Sequence, residues 1–406
     1  MTDPAAGQAT RSPLHVLGRR TGFALVLLAL MLVPSFVLMA ATKQPAATYA
    51  AMGAIIGAVA VAAGGVRVGI LTAVIASALA PLSIIAGLTP LTGAFLMALM
   101  TLTVGRMARF GLHRAIVLVP IFLAWTTLSP VPWVNHEDLD KVNALLTKKG
   151  LTFSQALDRL HPSHGSSSAG LSKVLSHAAI ELRMNQTYLV WVAVFFFVGA
   201  IIAVAVLPLL LRKAPHPSPV THSRSEAMPY TITITLLTAV ATFYFLNHPK
   251  LNGGAFTVAA ILVLAQVGTD IQWKLAIQRV LGTLGGVLLL TVVVALLGGG
   301  SYVKLFGLPF PANLYIVGIV FGMFAIIMKF SSRQWIYYIL ITPTAALLNA
   351  YTTKQATHLG TARLVDNLVG ALLVVLAALI TLGVARLTGG DNKVEAATPA
   401  DAAAAI

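Results

Sequence analysis

The sequence predicts an all-α polytopic membrane protein with about twelve transmembrane helices, and two features of its composition support that prediction. Hydrophobic residue types make up 58% of the 406 residues and charged residues 10%, whereas a soluble domain has roughly 25% charged residues. The mean hydropathy is +0.87, and a soluble fold could not bury that much apolar surface. The composition therefore excludes a soluble enzyme, a nucleic-acid-binding domain and a disordered chain.

The predicted elements are apolar helices, each of which needs about 20 residues to cross the roughly 30 Å hydrocarbon core of a bilayer. Twelve stretches approach that length: Gly22–Ala41, Ala46–Gly65, Val68–Ala86, Leu91–Gly105, Ala115–Leu128, Tyr188–Leu211, Pro229–Leu246, Ala255–Gly268, Leu275–Leu297, Ala312–Met328, Trp335–Tyr351 and Leu364–Val384. The fourth, fifth and eighth are short enough to be tilted, broken or re-entrant, so ten to twelve spans are expected. The first stretch lacks a small-residue cleavage site and is predicted to be a retained span.

Lysine and arginine residues predict the orientation, because cytoplasmic loops carry an excess of both. With residues 1–21 in the cytoplasm and twelve alternating helices, sixteen Lys and Arg lie inside and eleven outside, six of these in one long loop. In the short loops alone, sixteen Lys and Arg lie inside and five lie outside. This bias predicts a bacterial inner-membrane protein with both termini in the cytoplasm. The net charge of +15 does not indicate a nucleic-acid partner, since the basic residues occur in ones and twos.

Two polar segments divide the chain into blocks. Residues 131–184 form a long loop that the charge bias places in the periplasm, and residues 212–228 form a Pro/Ser/His-rich cytoplasmic linker. The linker separates a first six-helix block, 22–211, from a second, 229–386, and a polar tail, 387–406, follows. The histidines of the long loop lack the i,i+4 spacing of a zinc motif, so we expect no metal site there.

The two blocks resemble each other weakly, and three matches in the same order predict a repeat. Each block has a lysine six positions before an aromatic residue after its first helix, an arginine before its third helix and an arginine before its last. The paired residues are Lys43 and Lys250, Tyr49 and Phe256, Arg67 and Arg279, and Arg183 and Arg363. Blocks with an even number of spans would be parallel repeats, related by an axis along the membrane normal. Such repeats usually enclose a transport path.

Acidic residues are scarce, and only Asp270 and Asp366 of the twelve lie against the predicted helices. An ionisable group at that depth usually faces the bundle interior, because its burial in lipid costs at least a few kcal/mol. A proton-coupled carrier needs a group whose charge changes, so both are candidates, with Asp366 ahead of Asp270. The alternatives for Asp366 are an ion pair with Arg363, three positions earlier, or a complement to the helix dipole in the first turn. The alternative for Asp270 is an interfacial residue.

A third candidate is Arg279, which precedes three glycines on one helix face, Gly282, Gly285 and Gly286. One interpretation is a cation at the cytoplasmic mouth of a close-packed vestibule between the blocks, where it meets an anionic substrate. The alternative is a positive-inside anchor beside a helix-packing face. The sequence leaves both open.

The eleventh stretch contains two further candidates, Pro343, which lies between two threonines, and Asn349. A proline inside a membrane helix frees a carbonyl group, and such breaks line substrate sites in some transporters, although a structural kink is an equal alternative. No cluster of His, Asp or Glu lies at membrane depth, so no catalytic residue, metal or cofactor is expected. The absence of a phosphate-binding loop excludes an ATP-driven pump unless another subunit supplies the nucleotide site.

The run Gln278–Gly286 resembles the fusaric-acid-resistance family, which includes aromatic-acid exporters. That family has an Arg-x-x-Gly-Thr-x-x-Gly segment at the start of a membrane helix, and the run Arg363–Gly370 is similar to the start of its closing helix. The matching residues of the first run are Arg279, Gly282, Thr283 and Gly285 or Gly286. The plan of six plus six helices is similar as well. Many members carry a large soluble domain after each block, whereas this chain has a short linker and a tail, so the resemblance implies nothing about those domains.

The resemblance implies proton-driven export of small organic acids or toxic aromatic compounds. The implied partners are the small-molecule substrate, the lipid bilayer and a periplasmic adaptor protein, with a homo-oligomer left open. The alternative is a non-transporting membrane scaffold whose periplasmic loop recruits a partner. Polar residues that face lipid or pack as isolated pairs, with no cavity between the blocks, would favour the scaffold, and a central cavity would favour transport.

Overall fold

The computed structural model describes most of the predicted membrane region. The described residues are 13–42, 44–128, 183–211, 220–248, 254–265, 267, 273–297, 302–305, 308–329, 334–348 and 353–387. Predicted features outside them include Asp270, Asn349, the paired Lys43 and Lys250, all but the last two residues of the long loop, the first eight residues of the linker and all but the first residue of the tail.

The described residues form helices and one short hairpin. The first block contains α1 (Pro13–Thr42), a 3-10 turn (Pro45–Thr48), α2 (Tyr49–Ala86), α3 (Pro90–Met107), a 3-10 turn (Ala108–Phe110), α4 (His113–Ile116), α5 (Leu118–Leu128) and α6 (Gln186–Leu211). The second contains α7 (Arg224–Asn247), α8 (Gly254–Leu264), α9 (Trp273–Leu297), β1 (Tyr302–Leu305), β2 (Leu308–Pro311), α10 (Ala312–Lys329), α11 (Gln334–Leu348) and α12 (Thr353–Leu387). Helix covers most of each of the twelve predicted stretches.

The hairpin is a small departure from the all-α prediction. β1 and β2 are antiparallel, with Tyr302 opposite Pro311 and Leu305 opposite Leu308. Two of the four residues of β2 are proline, which cannot continue a helix but is tolerated at the edge of a two-stranded sheet. The hairpin lies between α9 and α10.

α2 consists of two helical arms joined at Gly65. The backbone there has φ 80° and ψ 177°, a conformation that glycine adopts without steric cost. Gly69 in the second arm packs against Val61 in the first, whereas residues eight positions apart on a straight helix would be about 12 Å apart. The chain therefore turns back at Gly65, and the second and third predicted stretches form a helical hairpin.

Seven described helices are long and apolar enough to cross a membrane, with both arms of α2 counted as one. Four more apolar helices are shorter: His113–Leu128, Gly254–Leu264, Asn313–Met328 and Trp335–Leu348. The prediction of a multi-pass helical membrane protein is confirmed at this level, whereas the count of twelve crossings and the repeat stay predictions. The fourth stretch, predicted to be short, belongs to the 21-residue apolar segment Pro90–Phe110.

α7 begins at Arg224, five residues inside the predicted linker. Ser223 accepts a hydrogen bond from the backbone N–H of Glu226, and the Glu226 carboxylate accepts one from the backbone N–H of Ser223. This reciprocal capping box satisfies two N–H groups at the start of the helix. The cap explains why the helix extends beyond its apolar part.

Glycines bring helix backbones into contact within each block. Gly53 of α2 packs against the backbone of Phe196 in α6, and Gly199 of α6 packs against the backbone of Ala50. In the second block, Gly370 of α12 packs against α8. A side chain at these positions would overlap the facing helix, so the small residues permit the close approach.

The two blocks meet along α3 and α7 and between α5 and α8. The hydroxyl oxygens of Thr101 in α3 and Thr238 in α7 are hydrogen-bonded at 3.1 Å. Trp125 of α5 lies edge-on to Phe256 of α8. The second contact places α8, and the residues that pack on it, at the boundary between the blocks.

Large apolar side chains remain exposed on one face of α9. They are Ile277, Leu281, Leu284, Leu288, Val292 and Leu296. Their spacing of three or four residues puts them on one side of the helix. In a membrane protein that side contacts lipid, while the opposite side carries the polar residues described next.

Candidate functional site

The candidate site is built around two adjacent polar residues of α12. Asp366 and Asn367 are 5% and 2% exposed, and both lie near the middle of the apolar segment Ala356–Ile380. Polar groups at that depth are costly unless neighbouring helices supply hydrogen bonds. Consecutive helical residues point about 100° apart, so Asp366 meets α8 while Asn367 meets α9.

Asp366 lies deeper in its helix than the sequence predicted. α12 begins at Thr353, eleven residues before the predicted start at Leu364, because a polar helical segment precedes the apolar one. Asp366 is therefore more than three turns from the helix N-terminus. The interpretation of Asp366 as a first-turn complement of the helix dipole is wrong.

Asn367 joins α12 to α9 through a closed set of hydrogen bonds. Arg279 donates from Nε to Asn367 Oδ1 at 2.9 Å, and Asn367 donates from Nδ2 to Thr283 Oγ1 at 3.1 Å. Thr283 donates its hydroxyl to the Arg279 carbonyl at 2.8 Å. Arg279 is 7% exposed, so these contacts hold a buried guanidinium between the two helices.

The two carboxyl oxygens of Asp366 have different surroundings. Thr257 of α8 donates to Oδ1 at 3.2 Å, whereas Oδ2 is buried without a hydrogen-bond partner among the described residues. A buried polar atom without a partner is destabilising. A proton on this oxygen, or a donor group of a ligand, would remove that cost.

Arg363 stacks on an aromatic ring. Its guanidinium carbon lies 4.9 Å from the ring centroid of Phe256, a cation–π distance. Its Nε is buried and has no hydrogen-bond partner in the part of the chain that the structure describes. An ion pair with Asp366 through Nε and Oδ2 is therefore not formed, since neither atom has a partner among the described residues. Within that part of the chain, Arg363 Nε and Asp366 Oδ2 are a free donor and a free acceptor on one helix.

Phe256 extends the site to the boundary between the blocks. Its ring centroid lies 4.7 Å from that of Trp125, with the rings at 81°. Trp125, Phe256 and Arg363 are each partly exposed. The site therefore continues into an aromatic surface to which both blocks contribute. Trp125 is not predictable from the sequence, because an aromatic residue in an apolar stretch does not reveal which helix it faces.

The three glycines after Arg279 pack against α11 of the same block. A Cβ atom would lie 2.9 Å from the Trp335 carbonyl oxygen at Gly282, 3.2 Å from Ile339 Cγ1 at Gly285 and 2.6 Å from the Ile339 carbonyl oxygen at Gly286. These distances leave no room for a side chain at Gly282 or Gly286. The glycine face thus lies against α11 and not toward a path between the blocks.

Pro343 of α11 is buried and contributes to the same contact. A proline at this position leaves the carbonyl of Ile339 without its helical donor, and that oxygen faces Gly286. The threonines on either side donate to carbonyls four positions earlier, at 2.9 and 2.8 Å. α11 also presents Tyr338, whose ring centroid is 5.8 Å from the guanidinium carbon of Arg279.

The first block contains a buried arginine, Arg183, whose hydrogen bonding differs from that of Arg363. Arg183 is 8% exposed and donates to the carbonyls of Ile84, at 2.9 Å, and Thr127, at 3.2 Å. These carbonyls belong to the last turns of α2 and α5, where a cation is favoured by the helix dipole. Arg183 caps two helix ends, whereas Arg363 has a donor, Nε, with no acceptor among the residues that the structure describes.

The structure brings together three predicted candidates, Arg279, Arg363 and Asp366, around a residue that the sequence analysis did not single out, Asn367. The feature of the sequence that could have identified Asn367 is an amide next to an acid within an apolar helix. Two other candidates lie outside the described residues: Asp270 and Asn349. In the described parts of the chain, no group of three or more His, Asp or Glu side chains could hold a metal ion.

Comparison with known proteins gives one match. The sequence model of a family described as fusaric acid resistance protein-like matches residues 237–377. This segment runs from α7 into α12 and contains Arg279, Arg363 and Asp366. No curated protein and no solved structure matches the chain significantly.

Proposed function

Because residues 237–377 match the model of a family described as fusaric acid resistance protein-like, we propose that this multi-pass membrane protein is a secondary exporter of small organic or aromatic acids. The similarity to that family favours a role in membrane transport or resistance. The finer parts of the proposal are the substrate class, the proton gradient as driving force and the inner membrane as location. The chemistry of the site supports the substrate class and the proton coupling, and the excess of Lys and Arg in the short loops on one side supports the orientation in an inner membrane.

The arrangement of Arg363, Phe256 and Trp125 carries the proposal. A guanidinium group offers charge and hydrogen-bond donors to a carboxylate, and the two aromatic side chains offer faces and edges to a flat apolar ring. The Arg363 Nε donor is unpartnered among the described residues, so a carboxylate would gain a hydrogen bond there. The position between the blocks suits a substrate that must pass between them.

Asp366 is the proposed proton-binding group. Its Oδ2 lies one helical turn from Arg363 and accepts no hydrogen bond from the described residues. Protonation would satisfy the oxygen and also change the net charge next to the substrate cation. A secondary transporter requires this kind of linkage between ion and substrate.

The repeat gains support from the two arginines that precede the last helix of each block. Arg183 interacts electrostatically with Tyr49, and Arg363 lies over the ring of Phe256. Tyr49 and Phe256 are the aromatic residues that the sequence comparison paired. We propose that the blocks are parallel repeats in which the first arginine became structural and the second stayed functional.

The scaffold alternative fits the site less well. Buried polar residues of a passive scaffold would pack as isolated pairs, whereas Arg279, Asn367, Thr283, Asp366 and Thr257 connect three helices. The proposal keeps a periplasmic adaptor as a partner, recruited by the long loop.

Substitution of Phe256 by Leu tests the substrate surface. Loss of the ring removes a cation–π contact of about 0.5–2 kcal/mol, so we expect export of an aromatic carboxylate to fall by roughly 2- to 30-fold. Uptake and efflux of benzoate in cells with and without the gene would measure it. Phe243→Leu is the matched control, since Phe243 is exposed on the outer side of α7 and should export normally. Equal export by both variants would contradict the proposed surface.

A cysteine at Ser167 tests the predicted topology. The chain contains no cysteine, so a single thiol in the long loop reports its own side of the membrane. Ser167→Cys should react with an impermeant thiol reagent from the periplasmic side in cells with an opened outer membrane. Labelling that appears only after the inner membrane is opened would reverse the orientation.

A further inference from the structure

The candidate site holds more positive than negative charge. Within the apolar segments Ala276–Leu297 and Ala356–Ile380, the charged side chains are Arg279, Arg363 and Asp366, with His358 counted as neutral. The two guanidinium groups are close enough to interact electrostatically. Burial of a cation without a counter-charge is costly. A surplus cation at this depth is therefore expected to serve an anionic ligand.

Asn367 holds one of these cations without neutralising it. The Arg279 guanidinium can only donate, so the amide oxygen of Asn367 must face it, as observed at 2.9 Å. The amide nitrogen then donates to Thr283, whose own hydroxyl donates to the Arg279 carbonyl. A carboxylate at position 367 could accept the same bond from Arg279, but it would also cancel the charge.

The other neighbours of this cluster cannot replace Arg279. α8 contributes the uncharged Thr257, and α11 contributes the ring of Tyr338. α7 has its charged residues, Arg224 and Glu226, in its first turn. In the described residues, the second positive charge of the site comes from α9 alone.

We propose that Asn367 is a positioning residue of the substrate site, which fixes Arg279 as a second cation beside Arg363 for the carboxylate of the substrate. The inference rests on the proposed function, since it requires an anionic substrate. In this arrangement Arg363 and Phe256 contact the substrate directly. Asn367 acts through Arg279 and sets selectivity for anions over neutral molecules of the same shape.

The isosteric substitution Asn367→Asp separates this role from a merely structural one. Binding of benzoate, and of the neutral benzamide, would be measured by titration calorimetry on the full-length protein in detergent near neutral pH. An Asp side chain can still bind Arg279, so the melting temperature should stay close to that of the unaltered protein. Because the added charge cancels that of Arg279, benzoate affinity should fall by roughly 10-fold or more, and benzamide affinity by less than about 2-fold.

Two further variants supply the control. Arg279→Gln should weaken benzoate binding to a similar extent, because each single change lowers the net charge of the site by one, and the double variant, which lowers it by two, should bind benzoate more weakly than either. Unchanged benzoate affinity in Asn367→Asp would overturn the inference and leave Asn367 as a structural link. Failure of the unaltered protein to bind benzoate would instead overturn the proposed function, and the inference with it.

Discussion

Replacement of Asp366 by Asn should leave the protein in the membrane and eliminate proton-driven efflux. The amide has the shape of the carboxyl group and can still accept the hydrogen bond from Thr257, so the contact between α12 and α8 should persist. The amide cannot gain or lose a proton in the physiological range. A carrier whose coupling depends on Asp366 would therefore lose its response to the proton gradient.

The measurement is efflux of a substrate of the unaltered protein at several values between about pH 6 and 8, normalised to the amount of protein in the membrane. Thr257→Val is the matched control, because it removes the partner of Oδ1 and keeps the titrating group. This control should shift the pH profile and retain transport. Export by Asp366→Asn at the wild-type rate across the whole range would show that Asp366 is structural, and Asp270 would be the next residue to test.

Substitution of Gly282 by Leu should impair insertion or folding far more than Leu288→Ala on the same helix. A Cβ at Gly282 would lie 2.5 Å from Tyr338 Cβ and 2.9 Å from the Trp335 carbonyl oxygen. Both atoms are held in place by the backbone of α11, so a change of side-chain rotamer cannot move them away. Overpacking typically costs about 1–3 kcal/mol, and more where backbone must move.

Leu288 is 63% exposed on the lipid side of α9, so its truncation should change stability by about 0.5 kcal/mol or less. The measurement is the amount of protein in the membrane together with its melting temperature in detergent. Gly282→Ala should fall between the two variants. Equal and mild effects of Gly282→Leu and Leu288→Ala would show that α9 and α11 are not tightly packed.

Part of the site could be predicted from the sequence, because charged residues are scarce in its apolar stretches. Charged residues are so rare in the apolar stretches that Asp366 and Arg279 stood out without any structural information. The sequence does not reveal that Asn367 links Arg279 to α12. Asn367 is 88 positions from Arg279, and a contact at that separation depends on how α9 and α12 pack.

Where the structure differs from the sequence-based predictions, the difference has a physical reason. Hydropathy marks the apolar part of a helix and not its first residue, so the polar start of α12 at Thr353 was missed and Asp366 was placed near a helix end. Glycine spacing shows that a helix has a smooth face but not which neighbour covers it. One interpretation therefore puts the glycines between the blocks, whereas the structure packs them against α11, with Gly286 against the carbonyl that Pro343 leaves free.

The one-residue turn of α2 bears on how the chain is made. Since only Gly65 joins the two arms, both must enter the bilayer from the same side, and we expect the translocation machinery to release them as a pair. The glycine face of the first arm then waits for α6, because Gly53 and Phe196 are 143 positions apart. During that interval the nascent chain exposes a surface built for another helix. The first block is thus completed only when α6, near the middle of the chain, has been synthesised.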